Sequence, residues 1–230
     1  MIVVEQRPGR DIIEAGYLGS ERSDEEAVIM ASRIPVYSMS VDEYLEAEKD
    51  AAMRHEYVAG QIFAMAGASD AHNTIALSFA ARLRNDLRAS CCRVYMSDMK
   101  VWIEAVQAFY YPDVVVTCDP EDNGEYSKTR PCLIVEVTSP TTTVMDHREK
   151  LQAYRKIPSL REYVMMAQHE MLVEIYRLDS RGHWWFETYG PEQSFALESV
   201  NLEIAVKDLY EGVVLRPWPA SIPEPPTNPI

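Results

Sequence analysis

The 230-residue sequence has no apolar run close to the roughly 20 residues that a membrane-spanning helix needs, so no membrane span is expected. Its first residues, MIVVEQRPGRD, lack a charged leader followed by an apolar core, and we therefore expect a cytoplasmic protein. The sequence also lacks a glycine-rich phosphate loop and a GxSxG elbow. Nucleoside-triphosphate hydrolysis and serine esterase chemistry are accordingly poorly supported.

Cysteine is scarce, with four residues in the whole chain: Cys91, Cys92, Cys118 and Cys132. They form neither a CxxC pair nor the dense pattern of a disulfide scaffold, so free thiols in a reducing compartment are expected. Their spacing does not fit that of a zinc site.

Basic residues are also in short supply, since 22 Lys and Arg stand against 36 Asp and Glu and the net charge is −14. This balance argues against non-specific binding to nucleic acid, which depends on the neutralisation of phosphates. The acidic excess lies mostly outside the segment from Arg82 to Arg161, where the two signs nearly balance. The acidic net charge is therefore a weaker argument against nucleic-acid binding by this segment.

The composition, with 47% hydrophobic residues, is typical of a globular domain with flanking segments. Residues 1–37 form an N-terminal extension with an acidic patch, SDEEA, and no clear periodicity. Residues 213–230 form a proline-rich C-terminal tail that we expect to be extended. The domain itself is expected over residues 38–212.

Hydrophobic periodicity and capping signals predict an alternation of helices and strands in this domain. Three helices are expected, over residues 40–50, 69–90 and 146–157. Strands are expected over residues 55–67, 93–104, 111–119, 131–139, 162–167, 171–178 and 183–189. This order indicates an α/β or α+β fold with a mixed central sheet flanked by helices. Trp184 and Trp185 are assigned to core or hairpin packing rather than to base stacking.

Two carboxylates interrupt strands that otherwise resemble buried ones. Asp113 directly precedes the valine run in YYPDVVVTCD, and Glu136 lies inside RPCLIVEVTSP. An unpaired buried carboxylate costs several kcal/mol, so each needs a partner. If the two strands are antiparallel neighbours, Asp113 and Glu136 meet at one edge of the sheet. Close carboxylates repel each other unless a cation or a proton intervenes, and hard oxygen ligands suit Mg²⁺ or Mn²⁺.

The helix that follows adds a lysine. Asp146, Lys150 and Tyr154 are spaced i, i+4, i+8 and therefore line one face of this helix. A lysine that points toward a carboxylate pair can orient a water nucleophile or stabilise negative charge on a phosphate. The alternative is that Lys150 is the solvent-side partner of Asp146 in a salt bridge.

The elements YYPDVVVTCD, CLIVEVTSPTTT and VMDHREKLQAYRKI together resemble the Uma family, whose members are described as putative restriction endonucleases of the PD-(D/E)XK superfamily. The resemblance covers roughly residues 38–212. It implies a restriction-endonuclease-like fold, a metal ion on Asp113 and Glu136, and a lysine that assists phosphodiester hydrolysis. Thr138 stands where the superfamily pattern has this lysine, so the resemblance implies that Lys150 replaces it. Glu56 resembles an additional acid of such nucleases.

Each candidate residue also has a structural interpretation. Asp113 can be a turn residue that accepts from nearby backbone amides. Glu136 can form a buried ion pair with an arginine, and Glu56 can be an ordinary exposed glutamate on a strand. His72 begins a helix that can point toward the site, but a lone histidine is more often structural.

The sequence therefore favours a Mg²⁺- or Mn²⁺-dependent endonuclease that hydrolyses DNA phosphodiester bonds, with Asp113, Glu136, Lys150 and Glu56 as site residues. A homodimer is compatible with this expectation, because superfamily members often dimerise to cut two strands. One alternative is a catalytically inactive nuclease fold that acts through nucleic-acid or protein contacts. Another is a scaffold that uses the acidic N-terminal segment and the proline-rich tail as interaction arms.

Overall fold

The structure is a computed structural model that describes residues 39–65, 67–138 and 144–216, the last range without the side chains of residues 144–147. The expected N-terminal extension and nearly all of the proline-rich tail lie outside the described residues. No helix in the described ranges is long and apolar enough to cross a membrane.

The three expected helices and the expected strand segments occur in the described chain in the predicted order. The structure adds elements that were not predicted: short strands at Ala108–Tyr110, Ser127–Lys128, Ser194–Leu197 and Leu202–Ala205, and a short helix at Val206–Leu209. The helices are α1 (Val41–Lys49), α2 (Asp70–Asp86), α3 (Val144–Tyr154) and α4 (Val206–Leu209), with a 3₁₀ turn at Glu104–Val106. The strands are β1 (His55–Val58), β2 (Gln61–Ala64), β3 (Arg93–Met96), β4 (Lys100–Ile103), β5 (Ala108–Tyr110), β6 (Val114–Thr117), β7 (Ser127–Lys128), β8 (Leu133–Thr138), β9 (Glu162–Ala167), β10 (Val173–Leu178), β11 (Trp184–Tyr189), β12 (Ser194–Leu197) and β13 (Leu202–Ala205).

Capping residues determine where the first two helices begin. Ser40 caps α1: its Oγ accepts from the Glu43 backbone N–H at 3.3 Å, and its own N–H donates to Glu43 Oε2 at 2.8 Å. This reciprocal arrangement is a capping box. Ser69 caps α2 and accepts from the backbone N–H of His72 at 3.1 Å. The Ser69 cap therefore helps to hold the first turn of α2, which carries His72.

A six-stranded mixed sheet, in the order β11-β10-β9-β8-β6-β3, forms the centre of the domain. Strands β8 and β9 are parallel, and the other neighbours in this sheet are antiparallel. A five-stranded sheet, in the order β2-β1-β5-β4-β7, and the hairpin β12-β13 complete the described strands. The fold is thus the mixed α+β arrangement that the sequence indicates.

The two sides of β8 contact different parts of the core. Leu133 and Val135 belong to the apolar core that includes α2 residues. Ile134 belongs to the core that includes α3 and the five-stranded sheet. Because side chains alternate along a strand, Glu136 lies on the same side as Ile134 and therefore faces α3.

Two predictions of local structure are wrong. Residues 93–104 were expected to form one strand, but β3 and β4 belong to different sheets. The chain changes direction at Ser97, whose φ is +55°. The cysteines were expected to be free thiols, but Cys92 and Cys118 form a disulfide while Cys91 and Cys132 remain free.

The β10–β11 hairpin is confirmed, with the turn near Gly182. Core or hairpin packing was expected for its two tryptophans, and Trp185 packs on the hairpin, where the Arg177 guanidinium of β10 lies 5.9 Å from its ring centre. Trp184 packs against the core on the α3 side, whereas Trp185 is 43% exposed on β11, at the edge of the six-stranded sheet.

Candidate active site

The pairing of β6 with β8 brings Asp113 and Glu136 to the same end of the two strands. The strands are antiparallel, with Val114 opposite Val135, so the same register continued by one residue places Asp113 opposite Glu136. Asp113 Oδ2 accepts from the Val137 backbone N–H at 2.7 Å. The bonded amide therefore belongs to the neighbouring strand and not to a local turn.

Glu136 is held by two side chains of α3. The Tyr154 hydroxyl donates to Glu136 Oε1 at 2.7 Å, and Lys150 Nζ lies 3.5 Å from Glu136 Oε2. Lys150 and Tyr154 are four residues apart on the helix, so both project from the same face. The ion-pair partner of Glu136 is thus a lysine, not the arginine of the structural interpretation.

Lys150 is buried rather than solvent-facing, at 8% exposure. Its Nζ lies 2.7 Å from Glu56 Oε1, and Glu56 is equally buried on β1. The alternative interpretation of Glu56 as an exposed strand glutamate is therefore wrong. Lys150 lies between one carboxylate from each of the two large sheets.

His72 contacts Asp113 in the candidate site, although the sequence interpretation placed it among structural histidines. Its Nε2 lies 2.8 Å from Asp113 Oδ1, and both side chains are about one-fifth exposed. The contact joins residues that are 41 positions apart. The one sequence signal was the position of His72 in the first turn of α2, three residues after the capping Ser69.

Burial and the neighbouring charges both shift the pKa values of the site residues. Burial lowers the pKa of Lys150, but the negative charges of Glu136 and Glu56 outweigh burial and raise that pKa, so the ammonium ion is favoured. Burial raises the pKa of Glu136; Lys150 opposes this rise, and the charges of Asp113 and Glu56 add to it. Burial lowers the pKa of His72, but the hydrogen bond to Asp113 and the negative charges of Asp113 and Glu136 together outweigh burial and raise that pKa. Two carboxylates thus lie against one lysine, and the charge of Asp113 acts on Glu136.

Three tyrosine rings, those of Tyr110, Tyr154 and Tyr163, pack together beside Lys150. Ring centroids lie 5.5 Å apart for Tyr110 and Tyr154 and 5.2 Å apart for Tyr154 and Tyr163. Lys150 Nζ lies 5.5 Å from the centre of the Tyr110 ring. Among the described residues, the buried Tyr163 hydroxyl has no hydrogen-bond partner.

A comparison with protein-family models matches residues 41–207 to Uma2, described as "Putative restriction endonuclease". The match covers most of the chain and contains Glu56, His72, Asp113, Glu136 and Lys150. The chain belongs to the Uma2 family.

Two relatives of this Uma2 chain come from Synechocystis sp. The uncharacterized protein slr1290 is 34% identical over 180 residues, which cover 78% of this chain and 95% of that protein. The uncharacterized protein sll1609 is 32% identical over 149 residues, which cover 64% of this chain and 84% of the relative.

A solved structure has a similar fold. It is the crystal structure of a protein from Anabaena variabilis described as a putative nuclease belonging to DUF820. The TM-score is 0.63 at 15% sequence identity, and the match covers 76% of this chain and 99% of that one. At this identity the similarity establishes a shared nuclease-like fold for the Uma2 chain.

The donor atoms of the site are suitable for a hard metal ion but are already engaged with protein groups. No three His, Cys, Asp or Glu side chains in the described part of the chain are arranged to hold a metal ion. Both oxygens of Asp113 have protein partners, and Lys150 lies beside Glu136. Any metal ion would therefore rely on two carboxylates and complete its shell with other ligands.

Proposed function

We propose that this Uma2 chain is a metal-dependent endonuclease that hydrolyses DNA phosphodiester bonds. The observation that carries the proposal is the position of Lys150. Its Nζ lies 3.5 Å from Glu136 and 2.7 Å from Glu56, on the helix that covers the strand ends where Asp113 and Glu136 are located. A buried lysine beside acidic residues can stabilise negative charge that develops on a phosphate.

Asp113 and Glu136 would hold Mg²⁺ or Mn²⁺. Mg²⁺ usually binds through one or two carboxylates, keeps several waters and accepts substrate phosphate oxygens, so it does not require a third protein ligand. Asp113, Glu136 and Glu56 can carry three negative charges, whereas Lys150 and a protonated His72 carry two positive charges. The remaining negative charge favours a cation. When bound, the ion would supply an activated water and polarise a phosphoryl oxygen.

The remaining groups would keep this arrangement in place. Glu56 holds Lys150 by the 2.7 Å ion pair, and Tyr154 orients Glu136 through its hydroxyl. His72 orients Asp113 from the first turn of α2. The Tyr163 hydroxyl is available to hydrogen-bond a water of the site. Lys150 would then be the cationic side chain that stabilises negative charge on the substrate phosphate.

The direct test is cleavage of supercoiled plasmid, single-stranded DNA and RNA of matched length, each with Mg²⁺, with Mn²⁺ and with EDTA. We expect metal-dependent cleavage of DNA by the wild type and none by Asp113→Asn or Glu136→Gln. Nicked circles indicate cuts in one strand, and linear product indicates paired cuts as in a dimer. Glu203→Gln, an exposed carboxylate on β13, is the control and should cleave like the wild type.

One observation favours a second candidate, a nuclease fold that binds without cleaving. Lys150 already lies against Glu136 and Glu56, and buried carboxylates that are paired with a lysine do not need a metal ion for charge compensation. A wild type that is inactive on every substrate, with or without metal, would favour this candidate.

A further inference from the structure

All four cysteines of the chain lie at one end of three neighbouring strands, the end away from the candidate active site. Cys92 directly precedes β3 and Cys118 directly follows β6. Because Arg93 pairs with Thr117, the same register places Cys92 opposite Cys118, and the two form a disulfide. Cys132 directly precedes β8, the other neighbour of β6, and lies at the same end of the sheet.

Cys132 is close enough to Cys118 to compete for the disulfide. Its Sγ lies 3.4 Å from Cys118 Sγ, and its backbone N–H donates to Val116 O at 2.8 Å, which fixes its place beside β6. The fourth cysteine, Cys91, is exposed, and its Sγ contacts the carbonyl oxygen of Cys118 at 3.5 Å. Cys118 Sγ is therefore bonded to the sulfur of Cys92 and lies 3.4 Å from the sulfur of Cys132.

We propose that Cys92, Cys118 and Cys132 form a thiol–disulfide exchange site whose co-reactants are low-molecular-weight thiols and disulfides. In the internal step, the Cys132 thiolate attacks Cys118 Sγ and a Cys118–Cys132 bond forms. The Cys92–Cys118 bond breaks, and the electron pair leaves on the Cys92 sulfur, which takes up the proton that Cys132 released. This step needs no external oxidant.

A small external thiol can also reduce the Cys92–Cys118 disulfide. Two equivalents of a small thiol convert the protein disulfide into two protein thiols and are themselves joined as one disulfide, so that electrons and protons balance. Burial raises the pKa of the Cys132 thiol to about 11, which keeps most of it protonated at neutral pH. Because the thiolate is the attacking species, the internal exchange is slow at neutral pH.

The disulfide joins the edge strand β3 to β6, the strand that Asp113 directly precedes. Strand β3 is at the edge of the six-stranded sheet, where β6 is its one partner among the described strands. At the far end of this pair, the Ser97 backbone N–H donates to Asp113 O at 3.0 Å. Exchange moves the covalent link from β3–β6 to β6–β8 and leaves β3 held by hydrogen bonds and packing.

The first experiment maps the disulfides of the full chain by mass spectrometry, after oxidation with glutathione disulfide and alkylation of free thiols. We expect a Cys92–Cys118 link in the wild type and in the control Cys91→Ser. In Cys92→Ser we expect a Cys118–Cys132 link instead. A Cys92→Ser protein in which Cys118 and Cys132 are both alkylated, or in which Cys118 links to Cys91, would overturn the proposal.

The second experiment compares oxidised and dithiothreitol-reduced wild type and needs no variant. We expect reduction to lower the Tm by roughly 5–10 °C. Amide hydrogen exchange should accelerate on the order of tenfold in residues 93–96 and remain unchanged in β9. Equal Tm and equal exchange in the two states would show that the bond does not hold the strand. Neither experiment measures DNA cleavage, so its outcome is separate from that of the proposed function.

Discussion

Lys150 Nζ lies 2.7 Å from Glu56 Oε1, and both side chains are about nine-tenths buried. Removal of one member of a buried ion pair leaves the other charge uncompensated, which usually costs about 3–5 kcal/mol. Here two carboxylates, Glu56 and Glu136, depend on the same lysine. Loss of Lys150 should therefore affect both the stability of the fold and the proposed chemistry of the site.

We predict that Lys150→Ala lowers the free energy of unfolding by about 3–5 kcal/mol in urea denaturation. If the protein remains folded under assay conditions, DNA cleavage should fall by a factor on the order of 10²–10³. The double variant Lys150→Met, Glu56→Gln should be less destabilised than the sum of its two single variants, because it removes both charges.

The matched control is Arg177→Ala, which breaks a second buried ion pair, that of Arg177 with Glu162, away from the site. It should lose about as much stability as Lys150→Ala, about 3–5 kcal/mol, and retain wild-type metal affinity. A Lys150→Ala protein as stable and as active as the wild type would contradict the role of this lysine.

Two neighbouring tyrosines should respond differently to loss of their hydroxyl groups. Tyr154→Phe removes a hydrogen bond to a charged acceptor, Glu136, and should cost about 1.5–3 kcal/mol of stability. Tyr163→Phe removes a hydroxyl that has no protein partner among the described residues and should change stability by about 1 kcal/mol or less. Urea denaturation in EDTA measures both, and equal losses would contradict the assigned hydrogen bonds.

His72→Ala should weaken Mn²⁺ binding by about 10–100-fold, because the imidazole orients Asp113. His72→Gln, which keeps a side-chain donor, should recover part of this loss. The control is His183→Ala, since the His183 side chain is 76% exposed. Unchanged Mn²⁺ affinity in His72→Ala would assign His72 to a structural role alone.

Local sequence signals predicted the elements of this fold well. The Ser40 capping box marked α1, and the apolar runs around Asp113 and Glu136 marked β6 and β8. The sequence also led us to expect that Asp113 and Glu136 meet at one edge of the sheet. An antiparallel pairing of β6 and β8 was a condition of that argument, and the structure confirms it.

Contacts between distant residues could not be predicted in the same way. The His72–Asp113 contact depends on how α2 packs against the six-stranded sheet. The Cys92–Cys118 bond depends on the register of β3 with β6, which no local pattern specifies. The break between β3 and β4 was missed because the chain turns at Ser97 with a positive φ but without glycine or proline.

The most direct test of the central claim is isothermal titration calorimetry of the full chain with Mn²⁺. If Asp113 and Glu136 form a metal site, the wild type and Glu203→Gln should bind Mn²⁺ saturably, and Asp113→Asn and Glu136→Gln should each lose that binding. Absence of binding by the wild type at millimolar Mn²⁺, or equal binding by Asp113→Asn, would contradict the account. It would identify the carboxylate cluster as a structural ion-pair network around Lys150.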